Sequence, residues 1–162
     1  NTNVNNIYIS NFQFRLDPPR DKRNALDWHQ DSSYFHINYP KFNAGVCWIS
    51  ITNNTKKNGT LIYIPKTHTN NLSKYKSVRK SIIGADQRKI KISPTEKKQI
   101  VNMNSNFGDV SCFHINIKHR SGFNKSKKIR MSVGCRFYDM NTSFNMGKER
   151  YIFNKSGRDN LF

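Results

Sequence analysis

Short stretches of alternating hydrophobic and polar residues run along this chain. Residues 7 to 14 (IYISNFQF) alternate and predict a β-strand, which ends at a turn cluster over residues 17 to 20 (DPPR). Residues 44 to 52 are mostly apolar and rich in β-formers, which is typical of a strand buried on both faces. The polar turn over residues 53 to 59 and the strand over residues 60 to 64 then predict a hairpin.

Two more strands are predicted over residues 109 to 117 and 129 to 138, and no long amphipathic helix is evident. The pattern therefore predicts a mainly all-β fold, either a barrel or a double-sheet jelly roll, with residues 1 to 162 in a single domain. Residues 66 to 99 interrupt it with a polar segment rich in Lys and Arg. An excursion of this length is usually a lid or a binding loop.

The first candidate for chemistry is the stretch WHQD at residues 28 to 31. His29 and Asp31 are two positions apart, so on an extended strand their side chains point to the same side. An imidazole and a carboxylate suit a borderline ion such as Fe(II) when a second histidine completes the set. The tripeptide supplies only two of these ligands, so the third must come from elsewhere in the chain. By itself a His-x-Asp tripeptide is weak evidence, because it is common by chance.

The second candidate is the stretch from His119 to Arg130. His119 ends one predicted strand and Arg130 begins the next, with a turn of Ser, Gly, Asn and Lys shaped by Asn124 and Lys125 between them. We therefore expect the two side chains to lie side by side in one sheet. A neutral imidazole would complete the metal site, while a guanidinium holds a carboxylate with two hydrogen bonds.

The chain is strongly basic, with 28 Lys and Arg against 10 Asp and Glu, a formal net charge of +18. Such a charge favours anionic partners, including nucleic acid. The same composition is also rich in Asn, Lys and Ile, whose codons are AT-rich, so the charge equally fits genome composition. Both interpretations stay open from the sequence.

The cysteines and the absence of targeting signals bear on location. Cys47, Cys112 and Cys135 lie far apart without the spacing of a zinc site, and we expect buried free thiols. No apolar run approaches the roughly 18 residues of a membrane span, and no signal peptide opens the chain. The expected location is therefore cytoplasmic, with no membrane partner.

Five stretches together resemble the phytanoyl-CoA dioxygenase family of Fe(II)/2-oxoglutarate-dependent oxygenases. They are WHQD at 28–31, VCW at 46–48, NGTLIYIPKTH at 58–68, GDV at 108–110 and HRSGFNKSKKIR at 119–130, in the family's order. The last stretch is the most specific, because it carries a serine two positions and an arginine eleven positions after its histidine.

The resemblance implies a double-stranded β-helix, a cupin-like jelly roll, with Fe(II) held at the catalytic centre by His29, Asp31 and His119. It also implies a pocket for 2-oxoglutarate. In that pocket Arg130 and Ser121 hold the distal carboxylate, and Gln30 and Trp48 line the walls.

The activity that the resemblance implies is hydroxylation of an unactivated C–H bond of a small molecule, with O2 as oxidant and succinate and CO2 as co-products. Asp31 favours hydroxylation over halogenation, since halogenating relatives lack this carboxylate. Family members are usually longer, with an N-terminal helical region that supplies another co-substrate contact, often a lysine. We find no equivalent before residue 28, so we expect either that this chain lacks that region or that the contact comes from elsewhere.

Two alternatives remain from the sequence: an oxygenase that acts on nucleic acid, and a non-catalytic cupin-like binding module. We expect a small-molecule substrate with a mild preference for an anion, and not nucleic acid. The sequence fixes neither the prime substrate nor the oligomeric state.

Overall fold

A computed structural model describes residues 7–23, 25–35, 44–79, 86–139, 151–153 and 159–161. Within them the chain is mainly antiparallel β-sheet, as predicted. In chain order the strands are β1 (Ile7–Asp17), β2 (Ala44–Ser50), β3 (Ile62–Tyr63), β4 (Tyr75–Arg79), β5 (Asp86–Ile90), β6 (Val101–Asn102), β7 (Val110–His114), β8 (His119–Arg120), β9 (Arg130–Asp139), β10 (Tyr151–Phe153) and β11 (Asp159–Leu161). The described helices are a short α1 (Pro94–Lys97) and two 3-10 turns, Asp31–Phe35 and Thr67–Thr69.

The strands form a large sheet, a small sheet and a separate hairpin. The large sheet has the order β11-β10-β1-β9-β2-β7, the small one has the order β6-β3-β8, and β4 pairs with β5. Residues of both larger sheets line one common cavity, so the two sheets enclose it between them. This is the arrangement of the predicted double-sheet jelly roll.

The predicted hairpin between residues 44–52 and 60–64 is wrong. Strand β2 pairs with β7 and β9 in the large sheet, whereas β3 pairs with β6 and β8 in the small one. The segment that connects β2 and β3 pairs with a different part of the chain. The backbone of Asn54 exchanges hydrogen bonds of 2.7 and 3.0 Å with the backbone of Ser105. The chain therefore crosses from one sheet to the other where the sequence suggested a simple reversal.

The predicted neighbourhood of His119 and Arg130 within one sheet is also wrong. The strand expected over residues 109 to 117 ends at His114, and His119 then opens the separate strand β8 of the small sheet. Arg130 begins β9 in the large sheet. The two residues therefore approach the cavity from different sheets.

The basic segment between residues 66 and 99 contains the β4–β5 hairpin, which contacts the segment that carries His29. The amide of Ile90 donates to the carbonyl of Trp28 at 2.9 Å, and the amide of Arg88 donates to the Tyr34 hydroxyl at 3.0 Å. Lys89 and Asp27 form an exposed ion pair at 2.9 Å. The position of this hairpin is compatible with the predicted role of a lid, which stays a prediction.

Helix α1 contributes an ion pair beside the segment that carries His119. Ser93 caps it with Glu96 in a reciprocal capping box, and the Glu96 carboxylate also accepts a hydrogen bond of 2.6 Å from Lys118 Nζ. Burial would raise the pKa of Glu96, but the hydrogen bonds from Lys118 and Ser93 outweigh it and lower the pKa below its ordinary 4.5. Because Lys118 precedes His119, this pair helps to fix the start of β8.

Glu96→Gln is expected to lower the free energy of unfolding by about 1 kcal/mol at pH 7, since the nearly buried Lys118 loses a charged partner. A carboxyl whose pKa is lower in the folded state stabilises the fold above its unfolded pKa, and this contribution disappears as the pH falls through the folded pKa. The difference between the two proteins should therefore shrink below pH 4.5. Urea unfolding at a series of pH values measures this, and a difference independent of pH would contradict it.

Two of the three cysteines are not free thiols, contrary to the prediction. Cys47 on β2 lies directly opposite Cys112 on β7, and the two form a disulfide, while Cys135 on β9 is a free thiol of intermediate exposure. The two cysteines are 65 residues apart in the sequence, and only the register of β2 and β7 brings them together. The expectation of three free thiols was one reason to expect a cytoplasmic location. The disulfide removes that reason, because disulfides are most common in oxidising compartments. None of the described helices has the length and apolar character needed to cross a membrane.

Candidate metal centre and its pocket

Two histidines from distant parts of the chain meet at one backbone bridge. The amide of His29 donates to the carbonyl of His119 at 2.9 Å, and the amide of His119 donates to the carbonyl of His29 at 3.0 Å. The imidazole centroids lie 4.2 Å apart, and both side chains are almost completely buried. The single bridge therefore brings together the first and the last predicted iron ligand.

Each imidazole is oriented by a hydrogen bond on its Nδ1 atom. His29 Nδ1 lies 2.7 Å from the carbonyl of Asp27, and His119 Nδ1 lies 2.9 Å from the carbonyl of Ile117. A carbonyl oxygen can only accept, so each Nδ1 carries the proton and each Nε2 keeps its lone pair. This is the tautomer that a metal-binding histidine needs, with the outer nitrogen fixed by a carbonyl.

Asp31 completes the cluster, although not from a strand as predicted. It opens the 3-10 turn Asp31–Phe35, in which the Ser33 hydroxyl and amide both donate to the carbonyl of Gln30. Asp31 Oδ1 lies 3.5 Å from His29 Nε2 and 3.8 Å from His119 Nε2. The three ligand atoms lie within 4.8 Å of one another, and two imidazoles with one carboxylate suit Fe(II).

A guanidinium neutralises the buried carboxylate from its other side. Arg136 Nε lies 3.2 Å from Asp31 Oδ2, the oxygen that does not face the histidines. Burial by itself would raise the pKa of Asp31, but the two adjacent imidazoles and the charge of Arg136 outweigh it and lower the pKa well below its usual range. Burial, with the adjacent His29, also lowers the pKa of His119 to about 4. Both shifts favour the protonation states that bind a cation.

The cluster opens into a cavity of about 50 Å³ between the two larger sheets. The walls are partly polar and partly apolar, and among the residues that line them are Arg15, Val46, Trp48, Leu61, Phe113 and Ser121. The Trp48 ring lies against Gly134 on the neighbouring strand β9, at a distance where a side chain on that glycine would have to displace it. The large sheet therefore makes room for an indole beside the metal ligands.

The predicted co-substrate residues do not all take the expected places. Ser121 and Trp48 line the cavity. Arg130 is only 2% exposed, and its Nη2 donates to Asp17 Oδ2 at 2.5 Å. The guanidinium of Arg130 is therefore already paired with a carboxylate of the protein itself. Its Nε atom is buried with no hydrogen-bond partner among the described residues, and this leaves a donor for a ligand. Whether Arg130 binds the co-substrate stays a prediction.

Gln30 has a different role in the structure from the one predicted. Its side-chain nitrogen donates to the carbonyl and to the side-chain oxygen of Asn116, at 2.8 and 2.9 Å, and its oxygen accepts from the amide of Ser73 at 2.9 Å. The side chain is fully buried and is not among those that line the cavity. Gln30 therefore joins the segments that carry Ser73 and Asn116.

The turn after His119 is fixed by close backbone contacts, as its predicted turn-shaping residue Asn124 suggested. The Asn124 side chain donates to the carbonyls of Asp17 and Lys128, both at 2.8 Å, and accepts from the amide of Ser126. Gly122 packs directly on the backbone of residues 59 and 60, where a side chain would clash. This turn therefore ties Ser121 and the start of β9 to the end of β1.

Three charged residues around the cavity were missed from the sequence: Arg15, Asp17 and Arg136. The spacing held a weak signal, because Arg15 and Asp17 are two positions apart and Arg136 is six positions after Arg130, so each pair shares one face of a strand. Alternation cannot tell which face is the inner one. The pairing of β1 with β9 decides it, by placing Asp17 opposite Arg130 and Arg15 opposite Ser132.

Comparisons with known proteins agree with this geometry. The profile of the family described as phytanoyl-CoA dioxygenase (PhyH) matches residues 4–132. No curated protein sequence is similar enough to be counted as a relative. Among solved structures, the non-heme monooxygenase ThoJ in its apo form is 18% identical with a TM-score of 0.70, over 97% of this chain and 53% of its own.

Two further structures have the same fold. EvdO2 from Micromonospora carbonacea var. aurantiaca, complexed with 2-oxoglutarate, is 20% identical with a TM-score of 0.64, over 84% of this chain and 55% of its own. EctD from S. alaskensis, with 2-oxoglutarate and 5-hydroxyectoine, is 19% identical with a TM-score of 0.65, over 87% of this chain and 47% of its own. The chain thus spans about half the length of these proteins.

Proposed function

The chain belongs to the phytanoyl-CoA dioxygenase family, and from this premise we propose that it is an Fe(II)- and 2-oxoglutarate-dependent oxygenase that hydroxylates a small molecule. The observation that carries the proposal is the buried cluster of His29, Asp31 and His119, with both Nε2 atoms and one carboxylate oxygen gathered within 4.8 Å. Structures of two proteins with this fold, EvdO2 and EctD, contain 2-oxoglutarate.

The three side chains would hold iron through His29 Nε2, His119 Nε2 and Asp31 Oδ1. Iron(II) bound there, with 2-oxoglutarate and O2, supplies the oxidising chemistry that converts a C–H bond to C–OH and releases succinate and CO2. The carbonyls of Asp27 and Ile117 keep both imidazoles in the tautomer that binds a metal. Arg136 holds the second oxygen of Asp31, which favours binding through one oxygen.

The co-substrate would lie in the cavity between the cluster and the polar side chains Arg15 and Ser121, which both line it. Ser121 Oγ accepts hydrogen bonds from Arg15 Nη2 at 2.9 Å and from the amide of Leu26 at 3.1 Å, so its own proton remains to be donated to a carboxylate. Arg130, which shares the Asp17 carboxylate with Arg15, would supply a further charged donor. Trp48 and Phe113 form apolar walls that limit the access of water to the reacting bond.

Hydroxylation is favoured over halogenation because Asp31 supplies a carboxylate where a halide would need an open position. The prime substrate would enter beside the β4–β5 hairpin, whose Arg88 lies over the rings of Tyr34 and Tyr75 at 5.4 and 5.0 Å. Tyr34 in turn lies 6.1 Å from the His29 ring. The positive charge of Arg88 on this hairpin supports an anionic small molecule as the preferred substrate class.

Anaerobic titration of the Fe(II)-loaded protein with 2-oxoglutarate tests the proposal. Bidentate chelation of the metal by the oxoacid gives a weak visible charge-transfer band, and we expect this band to saturate with one equivalent per chain. Admission of O2 should then release succinate. A protein that binds iron but never develops the band would be a metal-binding module of the same fold, and the proposal would fail.

A further inference from the structure

Three cysteines from three neighbouring strands lie in one row across the large sheet. Cys47 on β2 is directly opposite Cys112 on β7 and, on its other side, directly opposite Cys135 on β9. Residues that lie opposite one another in a sheet share a face, so the three side chains project on the same side. These are all the cysteines of the chain, and the strand register gathers them in one place.

The cysteine row lies on the outer face of the large sheet, behind the wall of the cavity. Val46 and Trp48 line the cavity, so alternation along β2 turns the side chain of Cys47, which lies between them, to the opposite face. Cys135 is likewise flanked by two cavity-lining residues of β9, so it borders the cavity through its backbone only. Cys112 is exposed, and the other two cysteines are of intermediate exposure. Solvent therefore reaches the row.

The hydrogen bonds of β2 define how Cys47 faces its two partners. The amide of Ile51 donates to the carbonyl of Met131 on β9. Because the bonding direction alternates along a strand, Cys47, four residues earlier, forms a hydrogen-bonded pair with Cys135 and a non-hydrogen-bonded pair with Cys112. The Cα atoms of Cys47 and Cys112 lie 4.3 Å apart, as in the closer kind of pair. The spacing of about 5.5 Å that the wider pair has also suits a disulfide.

Cys135 is therefore a free thiol in line with an existing disulfide. In thiol–disulfide exchange a thiolate attacks one sulfur of a disulfide and the other sulfur leaves. The row has the order that this attack needs, with Cys135 as the attacking thiol, Cys47 in the centre and Cys112 as the leaving group. The two outer cysteines are two strand spacings apart, roughly 10 Å, which is too far for a direct bond. Cys47 is thus the shared partner of both neighbours.

We propose that the three cysteines form a thiol–disulfide exchange site at which a low-molecular-weight disulfide modifies Cys112. The Cys135 thiolate attacks Cys47 Sγ, the bond between Cys47 and Cys112 breaks as the bond between Cys47 and Cys135 forms, and Cys112 leaves as a thiolate. This thiolate then attacks the small disulfide, keeps one half as a mixed disulfide and releases the other half, which takes the proton lost by Cys135. The small disulfide is the two-electron oxidant of the sequence.

Exposure decides which cysteine carries the modification. Cys112 is the exposed member of the row and lies on β7, the last strand of the large sheet in the described part of the chain. Cys135 lies on β9, between two paired strands, and is less exposed. An external disulfide therefore meets Cys112 more readily once the internal bond has moved. This inference is independent of the metal centre and of the proposed oxygenase activity.

Oxidised glutathione is the probe that tests the exchange. Wild-type protein is incubated with it at about pH 8, close to the ordinary thiol pKa of about 8.5, then acidified, digested without reduction and mapped by mass spectrometry. We expect glutathione on Cys112 together with an equal amount of the peptide pair linked through Cys47 and Cys135. Glutathione on Cys135 with the bond between Cys47 and Cys112 intact would overturn the proposal, and so would the absence of any adduct.

Two matched serine variants separate the attacking thiol from the leaving group. Cys135→Ser should keep the bond between Cys47 and Cys112 and lose the glutathione adduct, because no thiol remains to open the disulfide. Cys112→Ser should form the bond between Cys47 and Cys135 and retain no glutathione. An adduct on Cys112 that persists in Cys135→Ser, or glutathione retained on Cys47 or Cys135 in Cys112→Ser, would overturn the proposal. If either variant does not fold, the wild-type peptide map decides by itself.

Discussion

His119→Ala is expected to weaken metal binding more than about 100-fold, because it removes one of three ligands, and even the loss of an outer partner of a metal ligand costs 10- to 100-fold. The imidazole is 4% exposed and its Nε2 lies 3.8 Å from Asp31 Oδ1, so no other described side chain is placed to replace it. The cavity left by the ring and the unpaired carbonyl of Ile117 should also lower the stability of the apoprotein by about 1–3 kcal/mol.

Thermal unfolding with and without Zn(II) separates these two effects. A metal that binds only the folded protein raises its stability by about 2.7 kcal/mol when the free ion is at 100 times its Kd. Wild-type protein should show the corresponding increase in Tm, and His119→Ala should show only a small fraction of it (about 0.4 kcal/mol or less at the same ion concentration), whatever its starting Tm. The control is His68→Ala, which removes a half-buried histidine outside the cluster and should keep the full increase. An equal increase in His119→Ala would mean that the ion binds elsewhere.

Arg130→Ala is expected to reduce both stability and co-substrate affinity. The guanidinium is buried and pairs with Asp17, and removal of one partner of a buried pair costs about 3–5 kcal/mol when the other is left alone. In Arg130→Ala, Asp17 would still be paired with Arg15, so we expect the free energy of unfolding to fall by about 3 kcal/mol or less. The affinity for 2-oxoglutarate should fall about 100-fold with the loss of a charged fork, while Zn(II) affinity is unchanged because Arg130 is not a ligand.

Urea unfolding and calorimetric titration of the same preparations measure the two quantities. Arg130→Lys keeps the charge but not the planar fork, so its 2-oxoglutarate affinity should lie between wild type and alanine. If Arg130→Ala loses stability but binds 2-oxoglutarate like wild type, Arg130 serves only as the structural partner of Asp17.

Short motifs, taken together with the family resemblance, pointed to the three candidate metal ligands. His29 and Asp31 were predicted from a two-residue spacing, and His119 from its place ahead of a serine and an arginine, and the structure brings all three together. The physical reasoning for the first pair was nevertheless incomplete. A 3-10 turn, and not a strand, turns Asp31 toward the histidines, because Ser33 bonds back to the carbonyl of Gln30.

Connections between strands were less accessible from the sequence. A polar turn between two apolar segments predicts a hairpin equally well whether the strands pair or belong to different sheets. The pairing of Asn54 with Ser105 diverts β3 into the small sheet, and nothing near Asn54 in the sequence signals a partner 51 residues away. The disulfide between Cys47 and Cys112 was missed for the same reason, since only the register of β2 and β7 brings the two together.

The sequence by itself determined the β-rich fold, the family and the three candidate metal ligands, since each of these depends on residue types at fixed short spacings. Only the tertiary structure decided which face of β1 is turned inward. Alternation defines two faces, and the hydrophobic rule would have placed Phe12 and Phe14 inside and Arg15 outside. The register with β9 reverses this, because it places Arg15 and Asp17 opposite Ser132 and Arg130, which are buried.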